Sequence, residues 1–291
     1  MLLRNEHLTV EIDALGGELR SIRTPDGTEY LWQGHPDFWK SRAINLFPFV
    51  GRLWGGTYKF RGKTYALGNH GFVRHTVMDE IPESETAGKL VMEDDAETRD
   101  VYPFRFRYEI GYRLEGPSLH ITFRVTNQDK KPMYFGLGGH PGFNVPLEPG
   151  KVFTDYRVRF PGAEAPERVL FGPTCFLTGE KVPYDLGEEK AIALHHRLFD
   201  HDVILLEHSG TTAIIEPRDG QGRAVELRYP DCKYLGVWHS VKTDAPFVCL
   251  EPWAALPGRD NLTEDFETDP NILRLEVGGV YENRLTLVIH S

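Results

Sequence analysis

Cysteine and long hydrophobic runs are both scarce in this chain of 291 residues. The three cysteines, Cys175, Cys232 and Cys249, contain no CxxC pair and cannot all pair with one another, which excludes a disulfide-rich scaffold and is typical of the reducing cytoplasm. The longest aliphatic stretch, residues 203–206, is far shorter than the ~20 residues of a membrane-spanning helix. The first residues also lack the apolar segment of a secretory signal. We therefore expect a cytoplasmic protein with no membrane partner.

Positively charged residues are also fewer than negatively charged ones. Lysine and arginine contribute 33 charges against 43 from aspartate and glutamate, so the net charge is −10. This balance argues against nucleic acid or an anionic membrane as a partner. No linker, repeat or change of composition divides the chain, and we expect one domain over residues 1–291.

Alternation of apolar and polar residues is the dominant pattern. It is typical of antiparallel strands that bury one face, and it recurs in three segments, Leu119 to Val125, Val225 to Tyr229 and Leu285 to Ile289. The 29 glycines and 20 prolines indicate many turns, including Pro25-Asp26-Gly27 and Arg61-Gly62. The sequence predicts an all-β protein, a large antiparallel β-sandwich with a few short helices.

Three segments depart from this strand pattern. Residues 190–199 and residues 36–42 are the candidates for short helices. Residues 80–100 are acidic and polar, and we interpret them as an exposed loop or an edge hairpin. No βαβ period is present, so a parallel α/β sheet is not expected.

Several common catalytic motifs are missing. The chain has no GxxxxGK[ST] loop, no GxSxG and no HExxH, and the glycines of residues 136–142 lack GxGxxG spacing. Four histidines, His195, His196, His201 and His208, are close in sequence but match no familiar zinc spacing. We expect no metal and no cofactor, and interpret these histidines as surface residues.

Four segments combine glycine or proline with titratable or cationic groups: residues 45–52, 69–74, 138–144 and 249–253. Rigid loops and strand ends of this type often hold functional sites. Two histidines, a carboxylate and arginines can together exchange protons near neutral pH without a metal. Each has a structural explanation when taken alone: His70 as a turn residue, His140 at a bulge, Glu251 at a strand end, and Arg52 in an ion pair.

These four segments, taken in their order along the chain, resemble motifs of the aldose 1-epimerase (galactose mutarotase) family. The matching blocks are Phe47-Pro48-Phe49-Val50-Gly51-Arg52-Leu53 with Gly55-Gly56-Thr57-Tyr58, Asn69-His70-Gly71-Phe72-Val73-Arg74, Gly139-His140-Pro141-Gly142-Phe143-Asn144 and Leu250-Glu251-Pro252-Trp253. The chain is most similar to the shorter bacterial branch that includes the LacX-type proteins. The resemblance covers nearly the whole chain and implies the supersandwich fold of galactose mutarotase.

The resemblance also implies an activity and residue roles. Family members are isomerases that interconvert the α and β anomers of free hexoses by acid–base opening and reclosure of the ring, without a cofactor. Glu251 would be the base on the anomeric hydroxyl and His140 the acid near the ring oxygen. His70 would be a second donor, and Arg52 would bind sugar hydroxyls.

Further substrate contacts follow from the same resemblance. Both Asp200 and Asp202 fit the family's sugar-binding aspartate, and we favour Asp200. The aromatic residues Phe143 and Trp253, together with Phe72 and Trp238, would line the apolar faces of the sugar or belong to the core. Gly51-Arg52 stands where the galactose enzymes have an Asn-Arg pair, so the preferred sugar stays open.

Two alternatives remain beside a mutarotase of free hexoses. One is a hexose 6-phosphate mutarotase, with Arg74, Lys40 or Arg42 as phosphate partners. The other is a non-catalytic carbohydrate-binding protein on the same fold. The expected partner is a small sugar, and the chain is expected to be a monomer or homodimer. By analogy with paired catalytic groups in glycosidases, we expect Glu251 and His140 to lie roughly 5–10 Å apart across a cleft.

Overall fold

The computed structural model describes residues 1–291, and most of its regular structure is β-strand. In chain order the strands are β1 (Leu2–Arg4), β2 (Thr9–Ile12), β3 (Leu19–Arg23), β4 (Ala43–Leu46), β5 (Thr57–Phe60), β6 (Lys63–Ala66), β7 (Asp79–Pro82), β8 (Ala87–Glu93), β9 (Phe106–Glu115), β10 (Ser118–Asn127), β11 (Met133–Phe135), β12 (Gly138–Asn144), β13 (Tyr156–Arg159), β14 (Glu167–Phe171), β15 (Leu177–Pro183), β16 (Ala191–Ala193), β17 (Ile204–Glu207), β18 (Thr212–Pro217), β19 (Ala224–Arg228), β20 (Tyr234–Trp238), β21 (Phe247–Trp253), β22 (Leu273–Leu275) and β23 (Val280–His290).

Helices are few and short. One α-helix, α1 (Ala96–Val101), is capped by the side chain of Asp95, and four single-turn 3₁₀ helices cover Trp54–Gly56, Val73–His75, Phe153–Asp155 and His196–Phe199. None of the helices has the length and hydrophobicity that a membrane crossing requires.

Two large antiparallel sheets organise the chain. A nine-stranded sheet has the order β16-β13-β18-β19-β23-β10-β9-β8-β7, and a seven-stranded sheet has the order β15-β14-β17-β20-β21-β12-β4. Smaller sheets are formed by β1-β2-β3, β5-β6 and β11-β22. The all-β, antiparallel sandwich predicted from the sequence is confirmed.

The main core lies between the two large sheets. A cluster of 62 buried apolar residues takes Ile121 and Leu285 from the nine-stranded sheet and Val248 and Leu250 from the seven-stranded sheet. The alternation seen in the sequence explains this packing, because β10 buries every second residue and turns the others toward solvent. Arg61-Gly62 forms the tight turn between β5 and β6, as expected.

Both helix predictions are wrong. Residues 190–199 form strand β16 followed by the 3₁₀ turn His196–Phe199, because pairing with β13 satisfies the backbone and buries Ile192. Residues 36–42 form turns rather than a helix. There the carbonyl of Trp39 accepts hydrogen bonds from the Trp32 indole and the His35 N–H, so tertiary contacts replace helical ones.

The acidic segment 80–100 includes the edge hairpin β7–β8, followed by α1. Strand β7 lies at the end of the nine-stranded sheet and is exposed throughout. Strand β8 is mostly buried because it pairs on its other side with β9, so the segment is exposed only in part.

Candidate active site

The outer face of the seven-stranded sheet carries the candidate site. Alternate residues of β21 separate the two faces: Val248 and Leu250 enter the main core, whereas Cys249, Glu251 and Trp253 point to the opposite side. That side forms the floor of a cavity of about 260 Å³, near the lower end of small-molecule sites. The sequence-predicted residues that line it are Arg52, His70, Arg74, His140, Glu251 and Trp253, together with Asp202 and Trp238.

Strand register brings His140 and Glu251 together. Strand β12 pairs with β21 so that Gly138 opposes Trp253 and Gly142 opposes Cys249, which sets His140 opposite Glu251. Directly opposed side chains on neighbouring strands are in reach of one another. The His140 Nε2 atom lies 3.2 Å from Glu251 Oε2, and both side chains are more than nine-tenths buried.

The expected separation of roughly 5–10 Å between His140 and Glu251 is therefore wrong. A glycosidase pair must act on two sides of a glycosidic bond or leave room for a water molecule. At the anomeric carbon of a free sugar, by contrast, the hydroxyl and the ring oxygen are bonded to the same atom. An acid and a base in direct contact can therefore address those two oxygens.

Burial determines how this pair holds protons. Burial is the main cause that lowers the pKa of His140 well below its usual value, and the neighbouring His70 and Arg74 disfavour a positive charge there as well. Burial, followed by the negative charge of Asp202, raises the pKa of Glu251 well above its usual value. Both shifts disfavour charge, so burial favours a neutral imidazole beside a protonated carboxyl group.

Two interlocked loops place His70 beside this pair. The backbone N–H of His70 donates to the carbonyl of Gly51 at 2.8 Å, and the N–H of Phe72 donates to the carbonyl of Phe47 at 3.1 Å. Gly71 makes the close approach possible, because a Cβ atom there would lie 2.2 Å from the carbonyl oxygen of Phe47. Its φ of +73° also suits glycine.

The protonation state of His70 is fixed by its backbone partner. The N–H of Gly51 donates to Nδ1 of His70 at 3.0 Å, so Nδ1 is an acceptor and the ring hydrogen lies on Nε2. Burial, followed by the charges of Arg74 and Arg52, lowers the pKa of His70 to about 3. His70 is therefore a neutral donor over the whole physiological pH range.

Arg52 and Arg74 line the cavity without a carboxylate partner within 4.0 Å, although the chain has many acidic residues. The polar contact of Arg74 is a long hydrogen bond of 3.4 Å to Ser41 Oγ. Burial lowers the pKa of Arg74 from its usual value. Unpaired guanidinium groups can donate several hydrogen bonds to hydroxyl or anionic oxygens of a ligand.

Asp202 lines the cavity, whereas the favoured Asp200 does not. Asp200 follows the 3₁₀ turn His196–Phe199 and lies 3.9 Å from Arg197 at the surface. The chain then turns through Asp202, with a φ of +75°, before β17 begins. The carboxylate of Asp202 accepts a hydrogen bond of 2.9 Å from the Trp238 indole. We therefore replace Asp200 with Asp202 among the candidate sugar ligands.

The aromatic candidates divide between cavity and core. Trp238 and Trp253 line the cavity. Phe143 is fully buried in the main core, and Phe72 packs against that core from its edge. The two phenylalanines therefore support the sheet and the loops and have no contact with the cavity.

Sequence reasoning missed several lining residues, among them Trp39, Phe171 and Cys175. The Trp39 ring stacks on the imidazole of His140 with centroids 4.7 Å apart, which orients the ring and excludes water from one face. Phe171 and Cys175 belong to the end of β14 and the loop after it. The sequence held one sign of these lining residues: Trp39 is a large aromatic residue in a segment rich in turn-forming residues.

The four histidines between residues 195 and 208 have different neighbours. His196 Nδ1 lies 3.2 Å from Nε2 of the buried His239, while His208 lies near Glu167 and Glu207. His195 and His201 line no cavity with them. The structure thus gives no common site for the four.

This architecture has close counterparts among galactose mutarotase-like structures. A galactose mutarotase related enzyme from Lactobacillus acidophilus superposes with a TM-score of 0.95 at 29% identity, covering 100% of this chain and 97% of that one. A galactose mutarotase-like protein from Lactobacillus casei gives a TM-score of 0.93 at 29% identity, covering 100% and 99% of the two chains. The fold class is that of the galactose mutarotase-like proteins.

Sequence comparison defines the family. The aldose 1-epimerase family profile matches residues 1–263. The chromosomally encoded protein LacX of Lactococcus lactis subsp. lactis is 32% identical over 286 residues, which cover 94% of this chain and 95% of LacX. The chain belongs to the aldose 1-epimerase family, and the resemblance read from its motifs is confirmed.

Proposed function

We propose that the protein is an isomerase that interconverts the α and β anomers of a free hexose. The observation that carries the proposal is the contact of 3.2 Å between His140 and Glu251 at the floor of a cavity of monosaccharide size. A buried acid and base in contact suit a reaction that takes a proton from one oxygen and gives a proton to another on the same carbon.

The proposed cycle moves protons without changing the charge of the pair. Transfer of the shared proton to His140 leaves Glu251 as a carboxylate. Glu251 then removes the proton of the anomeric hydroxyl while His140 protonates the ring oxygen, so the C1–O5 bond breaks and an aldehyde forms. The pair now has its proton on the carboxyl group, the distribution that burial favours. Rotation about C1–C2 and the reverse transfers give the other anomer.

The surrounding residues have binding roles in this proposal. His70 offers its Nε2–H to the ring oxygen or a neighbouring hydroxyl at every physiological pH. Arg52 and Arg74 donate to hydroxyl oxygens, and Asp202 accepts from a hydroxyl group. The indole rings of Trp238 and Trp253 offer apolar surfaces to the C–H faces of the sugar. Because the cavity has donors and acceptors in excess of its internal pairs, it suits a polyhydroxylated ligand.

Anomer exchange measured directly tests this proposal. Saturation-transfer NMR on glucose and on galactose, together with polarimetry of freshly dissolved α anomers, should show exchange faster than in buffer alone. Sugar binding without faster exchange would reject the isomerase and leave a carbohydrate-binding protein on the same fold.

A hexose 6-phosphate mutarotase is the second candidate, and the two unpaired arginines favour it. Arg52 and Arg74 together could neutralise a phosphate group at the cavity. Competition between glucose and glucose 6-phosphate separates the two substrates. A phosphate ester that neither competes nor turns over would remove this candidate.

A further inference from the structure

A third side chain with metal-ligand chemistry lies directly beside the proposed acid–base pair. Cys249 precedes Glu251 by two residues on β21 and shares its face of the sheet. One ring nitrogen of His140, the Cys249 sulfur and a carboxylate oxygen of Glu251 all lie within 4.8 Å of one another. We propose that these three residues bind a soft divalent cation such as Zn²⁺, and that the bound ion blocks the acid–base pair.

The local packing explains how the sulfur reaches this position. Cys249 opposes Gly142 on β12, and a Cβ atom at Gly142 would lie 3.3 Å from the Cys249 sulfur and 3.1 Å from the Trp39 ring. The missing side chain leaves room for the thiol to lie over β12, next to His140. In addition, Nδ1 of His140 is buried and has no hydrogen-bond partner in the protein.

The ligand types and spacing suit zinc. Zn²⁺ takes nitrogen, sulfur and oxygen ligands at about 2.0–2.3 Å, which places ligand atoms roughly 3.3–3.8 Å apart around a tetrahedral ion. The three atoms therefore need to close by at most about 1.5 Å, a shift that side-chain rotation can supply. Because His140 and Glu251 line the cavity, the fourth position faces the space proposed for the sugar. Mg²⁺ and Ca²⁺ prefer all-oxygen sites and do not suit this set.

Binding must displace protons. Burial, followed by the charge of Glu251, raises the pKa of the Cys249 thiol well above its usual value. The cation must displace the thiol proton and compete with protons on the histidine and carboxyl group, because metal ligands bind in their deprotonated forms. The affinity should accordingly rise with pH.

Cobalt(II) is a suitable probe because it occupies zinc sites and absorbs light when a thiolate coordinates it. Titration of the full-length protein with Co²⁺ should give one equivalent of binding, a thiolate-to-cobalt charge-transfer band in the near ultraviolet and visible bands of a tetrahedral ion. Zn²⁺ should displace the cobalt and abolish both signals. A parent protein that binds no Co²⁺, or binds it without the charge-transfer band, would overturn the proposal.

The two cysteines near the cavity provide a matched comparison. Cys249→Ser should remove the charge-transfer band and weaken Co²⁺ binding by at least about tenfold, as expected when a ligand is lost. Cys175→Ser, which alters a thiol at the cavity wall, should leave both unchanged. Glu251→Gln should keep the band but weaken binding, which provides a second variant should Cys249→Ser not fold. Loss of the band in Cys175→Ser would reject the assigned ligand.

Only the inhibitory effect rests on the proposed function. Zn²⁺ should slow anomer exchange by the parent and by Cys175→Ser, and any residual exchange by Cys249→Ser should be less sensitive. If the protein shows the cobalt band but no sugar exchange, the metal site is supported and the mutarotase is rejected. If the protein exchanges anomers but shows no band, the mutarotase is supported and the metal site is rejected.

Discussion

The two large sheets share one core but use their outer faces differently. On the nine-stranded sheet, outward charges are paired: Glu216 accepts from Arg157 at 2.9 Å and from Arg159 at 2.7 Å. At the cavity on the seven-stranded sheet, by contrast, Arg52 and Arg74 of the adjoining loops have no acidic partner, and Glu251 is buried without a lysine or arginine partner. The contrast shows that charge satisfaction was possible in this fold and is missing where a ligand is proposed to supply it.

The largest expected effect tests whether the unpaired face carries the chemistry. Glu251→Gln and His140→Asn should each lower kcat for anomer exchange by roughly 10²–10⁴-fold, because each removes one proton-transfer partner. The double variant should be little worse than either single one, since the two residues act as a unit. Glu216→Gln, the matched change on the paired face, should retain the parent rate. Single variants as active as the parent in saturation-transfer NMR would contradict the assignment.

A second prediction concerns the loop that carries His70. Gly71→Ala should lower the free energy of unfolding by about 2–5 kcal/mol, because the methyl group collides with the Phe47 carbonyl in addition to the cost of positive φ. Gly62→Ala is the control: its φ is +72° and nothing lies within 4 Å of the new methyl group. It should cost only about 1–2 kcal/mol. Urea unfolding with equal losses for both variants would show that the loops are not interlocked.

The pH dependence of stability should have opposite signs on the two faces. Although burial opposes it, hydrogen bonds from Arg159 and Arg157 lower the pKa of Glu216. This stabilising contribution is present above the ordinary carboxyl range near pH ~4.3 and is lost as the pH falls through the lowered pKa. The raised pKa of Glu251 has the reverse effect: its contribution is complete below that range and is lost as the pH rises toward the folded-state pKa.

Substitution should reveal these slopes. Relative to the parent, Glu251→Gln should gain stability as the pH rises above the carboxyl range, by at most about 1.4 kcal/mol per pH unit. Glu216→Gln should lose stability over its own transition by about 1 kcal/mol in all, since that pair is partly exposed. Chemical denaturation at several pH values from about 2 to 8 measures both, because the Glu216 transition lies below the ordinary carboxyl range. Parallel slopes for the two variants would mean that Glu251 is ionised like an ordinary surface carboxylate.

The smallest expected effect distinguishes two aspartates. Asp202→Asn should raise KM for the sugar by about three- to tenfold with little change in kcat. This is the result expected when the lost hydrogen bond is equally strong in the bound ground state and in the transition state. Asp200→Asn should leave both parameters unchanged, because Asp200 lies outside the cavity. A larger effect from Asp200→Asn would restore the original assignment from the sequence.

Local pattern was enough to predict the sheets. Alternation identified β10 and β23 because their inner faces are buried against one core, and the turn at Arg61-Gly62 followed from glycine chemistry. The helices predicted at 36–42 and 190–199 failed because their backbone groups and side chains find tertiary partners, which a window of sequence does not contain.

The candidate site was predictable in composition but not in geometry. The motif blocks contained His70, His140 and Glu251, yet the contact between the last two depends on a register between strands that are distant in sequence. The choice between Asp200 and Asp202 depends on a turn with positive φ, and the stacking of Trp39 on His140 depends on a loop packed through tertiary hydrogen bonds. Such features arise only after the chain has folded.

The register of β12 against β21 has a consequence for heat inactivation. Imidazole and carboxyl group are borne by adjacent interior strands of a seven-stranded ladder, so fraying of surface loops leaves their spacing intact. The proposed acid–base pair should therefore keep its spacing until the whole sandwich melts, so that any activity lost before the calorimetric transition would report opening of the loops that carry His70 and Arg52.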